Sequence, residues 1–135
     1  MDVWEYFNSK RREIAGASLT LDEDELQFVA LEGSQGQRGR VWGRIGFTER
    51  TFLQVSELVV VTGSGIHREE YAYFLIVDGA EIWGYERDPT HDPRDHSHDR
   101  MHAREPCEPI SFKQVLELAW ESASEEDSWE PMNED

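Results

Sequence analysis

Val3, Phe7 and Ile14 recur at helical spacing behind Asp2 and Glu5, a pair spaced as in a capping box. This predicts an amphipathic helix from the N-terminus to about Ala15-Gly16, with Trp4 and Tyr6 nearby and nothing on it that looks chemical. From Leu19 the period changes to two. Strands are expected over 25–32, 38–48, 51–62, 67–77 and 80–86, because each stretch alternates or is rich in branched and aromatic residues. Between them, Gly33-Ser34-Gln35-Gly36, Thr48-Glu49-Arg50, Gly63-Ser64-Gly65 and Asp78-Gly79 read as turns, the last being the strongest hairpin signal in the chain. Connections this short imply antiparallel neighbours, since parallel strands need a crossover of a dozen or more residues. Near the C-terminus Ser111 and Gln114 form a second capping box. Phe112, Val115, Leu116 and Ala119 then mark the buried stripe of a helix reaching about residue 123. The expected fold is α+β, an antiparallel meander of about five strands flanked by an N-terminal and a C-terminal helix.

The totals sharpen this picture. A chain of 135 residues with 38% hydrophobic side chains fits one domain with its own core. We place that domain at 1–121, followed at 122–135 by an acidic, mobile tail with six acids and no base. The single Cys107 cannot close an intrachain disulfide, and no apolar run approaches the roughly 20 residues of a membrane span, so a cytoplasmic protein is expected. The net charge of −16 repels nucleic acid at long range, so any such role needs a local basic patch. The acidity fits either a salt-tolerant source or a basic partner.

Candidate chemistry concentrates at residues 85–102, YERDPTHDPRDHSHDRMH, which hold four of the five histidines in what reads as a loop. Three readings stand there. His91, His98 and His102, with one of Asp92, Asp95 or Asp99, make a candidate site for zinc or another transition metal. The same histidines suit acid/base chemistry near neutral pH, with Arg87, Arg94 or Arg100 holding an anion. The third reading is a solvated loop in which they are incidental. On the strands, Arg38, Arg40, Trp42, Arg44, Tyr71, Tyr73, Trp83 and Tyr85 can share one face, the combination of guanidinium groups and rings that single-stranded nucleic acid requires. The alternative makes the aromatics core and the arginines a solvated edge. Glu57 shares the face of Leu53, Val55 and Val59, where a carboxylate needs an Arg or Tyr partner.

The segment 50–57 (RTFLQVSE), the pair Tyr71 and Tyr73, and above all residues 85–102 resemble the TumE family of toxin-antitoxin toxins. The matching positions are Tyr85-Glu86, Pro89, His91, His98, His102 and Glu57. Phe74 departs from the pattern, standing where members often place histidine. The resemblance spans about residues 38–120. It implies a toxin encoded beside a helix-turn-helix antitoxin that binds and silences it. The leading functional expectation is an endoribonuclease that needs no metal. His91, His98, His102 and Glu57 are its candidate catalytic groups, and Arg40, Arg44, Tyr71, Tyr73, Tyr85 and Arg87 its candidate substrate contacts. The alternatives are a noncatalytic module that binds a metal or a basic protein, alone or as a homo-oligomer, and an inactive relative of the toxins.

Overall fold

The computed structural model describes residues 1–16 and 26–124. The segments 17–25 and 125–135 lie outside them, the latter holding all but the first three residues of the tail expected at 122–135; those three, 122–124, close the C-terminal helix. Helix α1 spans Val3–Gly16 and helix α2 spans Phe112–Ser124. Between them runs one antiparallel sheet of seven strands in simple chain order: β1 (Leu26–Ala30), β2 (Arg38–Gly46), β3 (Thr51–Thr62), β4 (Gly65–Val77), β5 (Ala80–Asp88), β6 (Asp92–Asp99) and β7 (Glu105–Pro106).

Five of these strands fall where alternation predicts them; the sixth comes from the histidine segment, and the two-residue seventh follows it at Glu105–Pro106. That segment is mostly β-structure and not a loop. It continues β5 to Asp88, turns at Pro89-Thr90-His91, and returns as β6, which pairs with β5 on one side and β7 on the other. Most of its polar side chains have partners among their neighbours, Arg87 Nε and His96 Nδ1 being the buried exceptions. The backbone ladder, which is indifferent to side-chain polarity, therefore holds a strand without apolar alternation.

Local chemistry sets the ends of the elements. The Glu5 amide donates to Asp2 Oδ1 at 2.9 Å, and the Gln114 amide donates to Ser111 Oγ while the Ser111 amide donates to Gln114 Oε1, so both predicted caps form. Asp78 and Gly79 both take positive φ (51° and 79°), as the two-residue turn between β4 and β5 demands.

Both helices lie on one face of the sheet. There Val41, Ile45, Leu53, Val55, Val59, Tyr73 and Leu75 are buried against Val3, Phe7, Ile14, Phe112, Val115, Leu116 and Ala119. Gly39 lets α1 approach, because a Cβ at that position would stand 2.8 Å from Phe7 Cζ. No helix among the described residues covers the opposite face. None of them is long and apolar enough to cross a membrane.

Candidate functional site

Strand register decides which side chains can act together, because residues directly opposite in neighbouring strands project from the same face. One row across the uncovered face runs Trp42, Ser56, Ala72, Glu86, His96. The row on one side runs Arg44, Gln54, Phe74, Gly84, His98; on the other side stand Arg40, Leu58 and Glu70. Ser56 and Ala72 are small, so the middle of the first row is a trough floor. Trp42 and Glu86 stand at its ends, three strand spacings or roughly 14 Å apart. A depression of about 180 Å³ follows this floor, with Arg40 on one wall and Glu70, Glu86 and Asp88 on the other. A second, shallower groove adjoins it at Ser56 and runs past Trp42, Arg44, Phe52 and Gln54. Trp42 is 41% exposed, and the Arg44 guanidinium lies over the Phe52 ring at 5.2 Å.

Glu86 is ion-paired with Arg104, which reaches across from the connection between β6 and β7. His98, one strand over, packs against Phe74 with ring centroids 5.7 Å apart, and its Nε2 lies 3.2 Å from Glu81 Oε1. Gly84 makes this packing feasible: a Cβ there would collide with Phe74 and stand 2.6 Å from His98 Cε1. Gly84→Ala is therefore expected to displace His98 and to destabilise the fold by about 1–3 kcal/mol. Chemical denaturation, with the His98 ring resonances followed by NMR, checks both effects.

The helix-covered face carries a separate polar network. Glu57 is buried, as its place among Leu53, Val55 and Val59 suggests. Lys10 Nζ donates to Glu57 Oε2 at 2.8 Å, Tyr6 donates to Oε1 at 2.7 Å, and the Tyr73 hydroxyl also donates to Oε2. Burial pushes the carboxyl upward, but the Lys10 charge and these hydrogen bonds outweigh it and hold Glu57 ionised, below the usual carboxylate range. Burial is likewise the main reason the Tyr73 phenol is raised, with the Glu57 charge adding to it. Arg68 donates to the Tyr73 hydroxyl at 3.1 Å and covers the Tyr71 ring at 4.4 Å. The chain of contacts continues through Tyr71, whose hydroxyl donates to Asp95 Oδ2 at 2.6 Å, to Arg87, 3.5 Å from Asp95 Oδ1.

These positions correct one expectation. The basic and aromatic residues do not share a face: Arg38, Arg40, Trp42 and Arg44 are on the uncovered side, whereas Tyr71, Tyr73, Trp83 and Tyr85 are on the helix side. Tyr73 has no exposed ring to offer a base, and Tyr71 is 4% exposed. Tyr85 packs edge-on to Trp83, whose indole nitrogen donates to Ser122 of α2.

The histidines are also dispersed. His91 is exposed in the β5–β6 turn, 2.7 Å from Asp88, and His102 sits in the next turn, 2.9 Å from Asp99. His96 is buried, with Nε2 3.4 Å from Asp92 and Nδ1 without a hydrogen-bond partner among the described residues. No three His, Cys, Asp or Glu side chains among the described residues could hold a metal ion together.

Sequence reasoning passed over Lys10, Arg68 and Arg104. Lys10 was legible, because it stands in the spacing of Val3, Phe7 and Ile14 and so falls on the buried stripe of α1.

No curated protein and no solved structure matches the chain. The family model described as Toxin TumE matches residues 14–127, a span that takes in every strand, the Glu86 trough and Glu57 itself, but not its partners Tyr6 and Lys10. The chain therefore belongs to the TumE toxin family, and with that family comes an antitoxin partner.

Proposed function

We propose that the chain is a cytoplasmic toxin that cleaves RNA on the uncovered face of its sheet and is silenced by a helix-turn-helix antitoxin. The observation that carries this reading is the trough floored by Ser56 and Ala72, with Arg40, Trp42 and Glu86 around it in a chain of net charge −16. An acidic protein needs a local concentration of guanidinium groups to hold a polyanion, and β2 supplies Arg40 and Arg44 on the same side as an exposed indole.

In this mechanism Trp42 stacks a base while Arg40 and Arg44 hold neighbouring phosphates. Glu86, released from Arg104, removes the proton of a ribose 2′-hydroxyl. The 2′-oxygen attacks the adjacent phosphorus and the bond to the 5′-oxygen breaks. His98 gives its proton to that leaving oxygen, and the products are a 2′,3′-cyclic phosphate and a free 5′-hydroxyl. No step requires a metal. Glu57, His91 and His102 have no part in it: Glu57 has every oxygen engaged below the surface, and the two histidines are paired with Asp88 and Asp99, the residues that cap their turns.

Arg40→Ala and Arg44→Ala are each expected to weaken single-stranded RNA binding and to lower the slope of log affinity against log salt by about 0.7. Filter binding across a salt series tests this. An unchanged slope for both variants sinks the assignment of this face.

A noncatalytic reading draws on Phe74, which fills with an apolar ring the place where histidine often stands in the family pattern. Growth arrest without RNA loss on induction would favour it, with the trough then serving as a binding surface.

A further inference from the structure

We infer a second anion site on the helix-covered side, a cleft that takes the phosphate group of a nucleotide-sized molecule. It is independent of the RNA reading. The chain has two lysines, Lys10 and Lys113, and both face one cleft of about 420 Å³ between α1, β4 and the start of α2, together with Arg68. Such a volume suits a small ligand.

Charge balance singles this cleft out. Lys10 is matched by Glu57, but the hydrogen bonds of Arg68 go to neutral groups, the Tyr73 hydroxyl and the Ile110 carbonyl, and its other contacts are the faces of Tyr71 and Tyr73. The network of buried Lys10 and Glu57 with half-buried Arg68 thus carries one positive charge in excess, inside a protein with sixteen negative charges to spare. Removing a cation from water without a counterion is costly, and a bound anion offsets that cost.

The rim adds exposed Lys113 and, at the amino end of the 13-residue α2, Ser111 and Phe112; Glu13 is the opposing carboxylate. The Tyr6 ring and Ile66 supply the apolar wall on which the rest of the ligand can lie. A phosphate fits this donor set better than a carboxylate, because Arg68 on β4 and Lys113 on α2 come from separate elements and need an acceptor with several oxygens.

The test uses the full chain and two probes, inorganic phosphate and adenosine 5′-monophosphate, titrated by calorimetry and by NMR of the Phe112 and Lys113 amides. Saturable binding of either probe is expected, weakened about tenfold or more by Lys113→Gln and by Arg68→Gln and unchanged by Arg40→Ala on the opposite face. Tighter binding of the nucleotide extends the site to the nucleoside, whereas equal binding confines it to the phosphate. Lys113 is exposed, so its variant keeps the fold and stays informative if Arg68→Gln does not fold. Absence of saturable binding, or binding lost with Arg40→Ala and retained in Lys113→Gln, overturns the inference.

Discussion

Lys10→Met is expected to destabilise the protein by about 3–5 kcal/mol at pH 7, because it breaks a fully buried ion pair. The loss does not come from the ion pair's own strength. It comes from leaving the Glu57 carboxylate at the centre of the core, 1% exposed, with two tyrosine hydroxyls and no cation in contact with it, since Arg68 reaches it only through the Tyr73 hydroxyl. Burial, which already acts to raise Glu57, then prevails, and its carboxyl titrates above the usual range.

The sign of the pH dependence follows. In the wild type Glu57 is depressed, so its contribution is present above the unfolded value near 4.3 and is lost as pH falls through the still lower folded value. In Lys10→Met the folded value lies above the unfolded one, so the variant loses stability as pH rises through it. The difference between the two proteins should therefore shrink from pH 7 toward pH 5. Lys10→Met with Glu57→Leu should recover most of the loss, because a buried pair replaced by apolar groups is close to neutral. Urea unfolding of the three proteins at both pH values is the measurement. Equal destabilisation at pH 5 and pH 7 would contradict an uncompensated Glu57.

Glu86→Gln is expected to slow RNA cleavage by roughly 100- to 10,000-fold while leaving RNA affinity within a few-fold of the wild type. Glutamine keeps the shape and a hydrogen bond to the RNA but cannot accept the 2′-hydroxyl proton. The side chain is partly exposed, and its ion pair with Arg104 lies at the surface, so stability should change by less than about 1 kcal/mol. Single-turnover rates with a short labelled RNA, alongside filter binding, separate the two effects. An equal fall in rate and affinity would assign Glu86 to binding.

Much of the fold is legible from local signals. Asp78-Gly79, the two capping boxes and the alternation Tyr71, Tyr73, Leu75, Val77 each specify their own geometry through φ preference, orphan amides or a buried face. The site is less legible, and for a specific reason. Alternation assigns the faces within a strand but not the phase between strands. Whether Trp42 shares a face with Tyr71 or with Ala72 depends on the pairing of Trp42 with Ser56 and of Ser56 with Ala72, a tertiary fact that a shift of one residue would invert.

The histidine segment fails for the opposite reason. Its β6 residues Asp95 and His96 are buried although polar, because Tyr71 and Arg87 satisfy Asp95 and the neighbouring strands on both sides pair the backbone. Composition there reads as loop, and partners that lie more than twenty residues away decide otherwise. Glu57 was visible as an acid in an apolar strand. Its tyrosine partner on the next strand follows from that reasoning, whereas its lysine partner on α1 required seeing Lys10 as part of the helix's buried stripe.

The most direct test of the central claim, that RNA is cut by its own 2′-hydroxyl on the uncovered sheet face, is incubation of the purified chain with a labelled single-stranded RNA and with the same oligonucleotide made entirely of 2′-deoxynucleotides, in the presence of a chelator. The account predicts cleavage of the RNA to a 2′,3′-cyclic phosphate and an intact deoxy strand, with cleavage slowed by roughly 100-fold or more in Glu86→Gln and kept in the His91→Ala, His102→Ala double variant. An RNA left whole by the wild type, or cut equally well by Glu86→Gln, would contradict it.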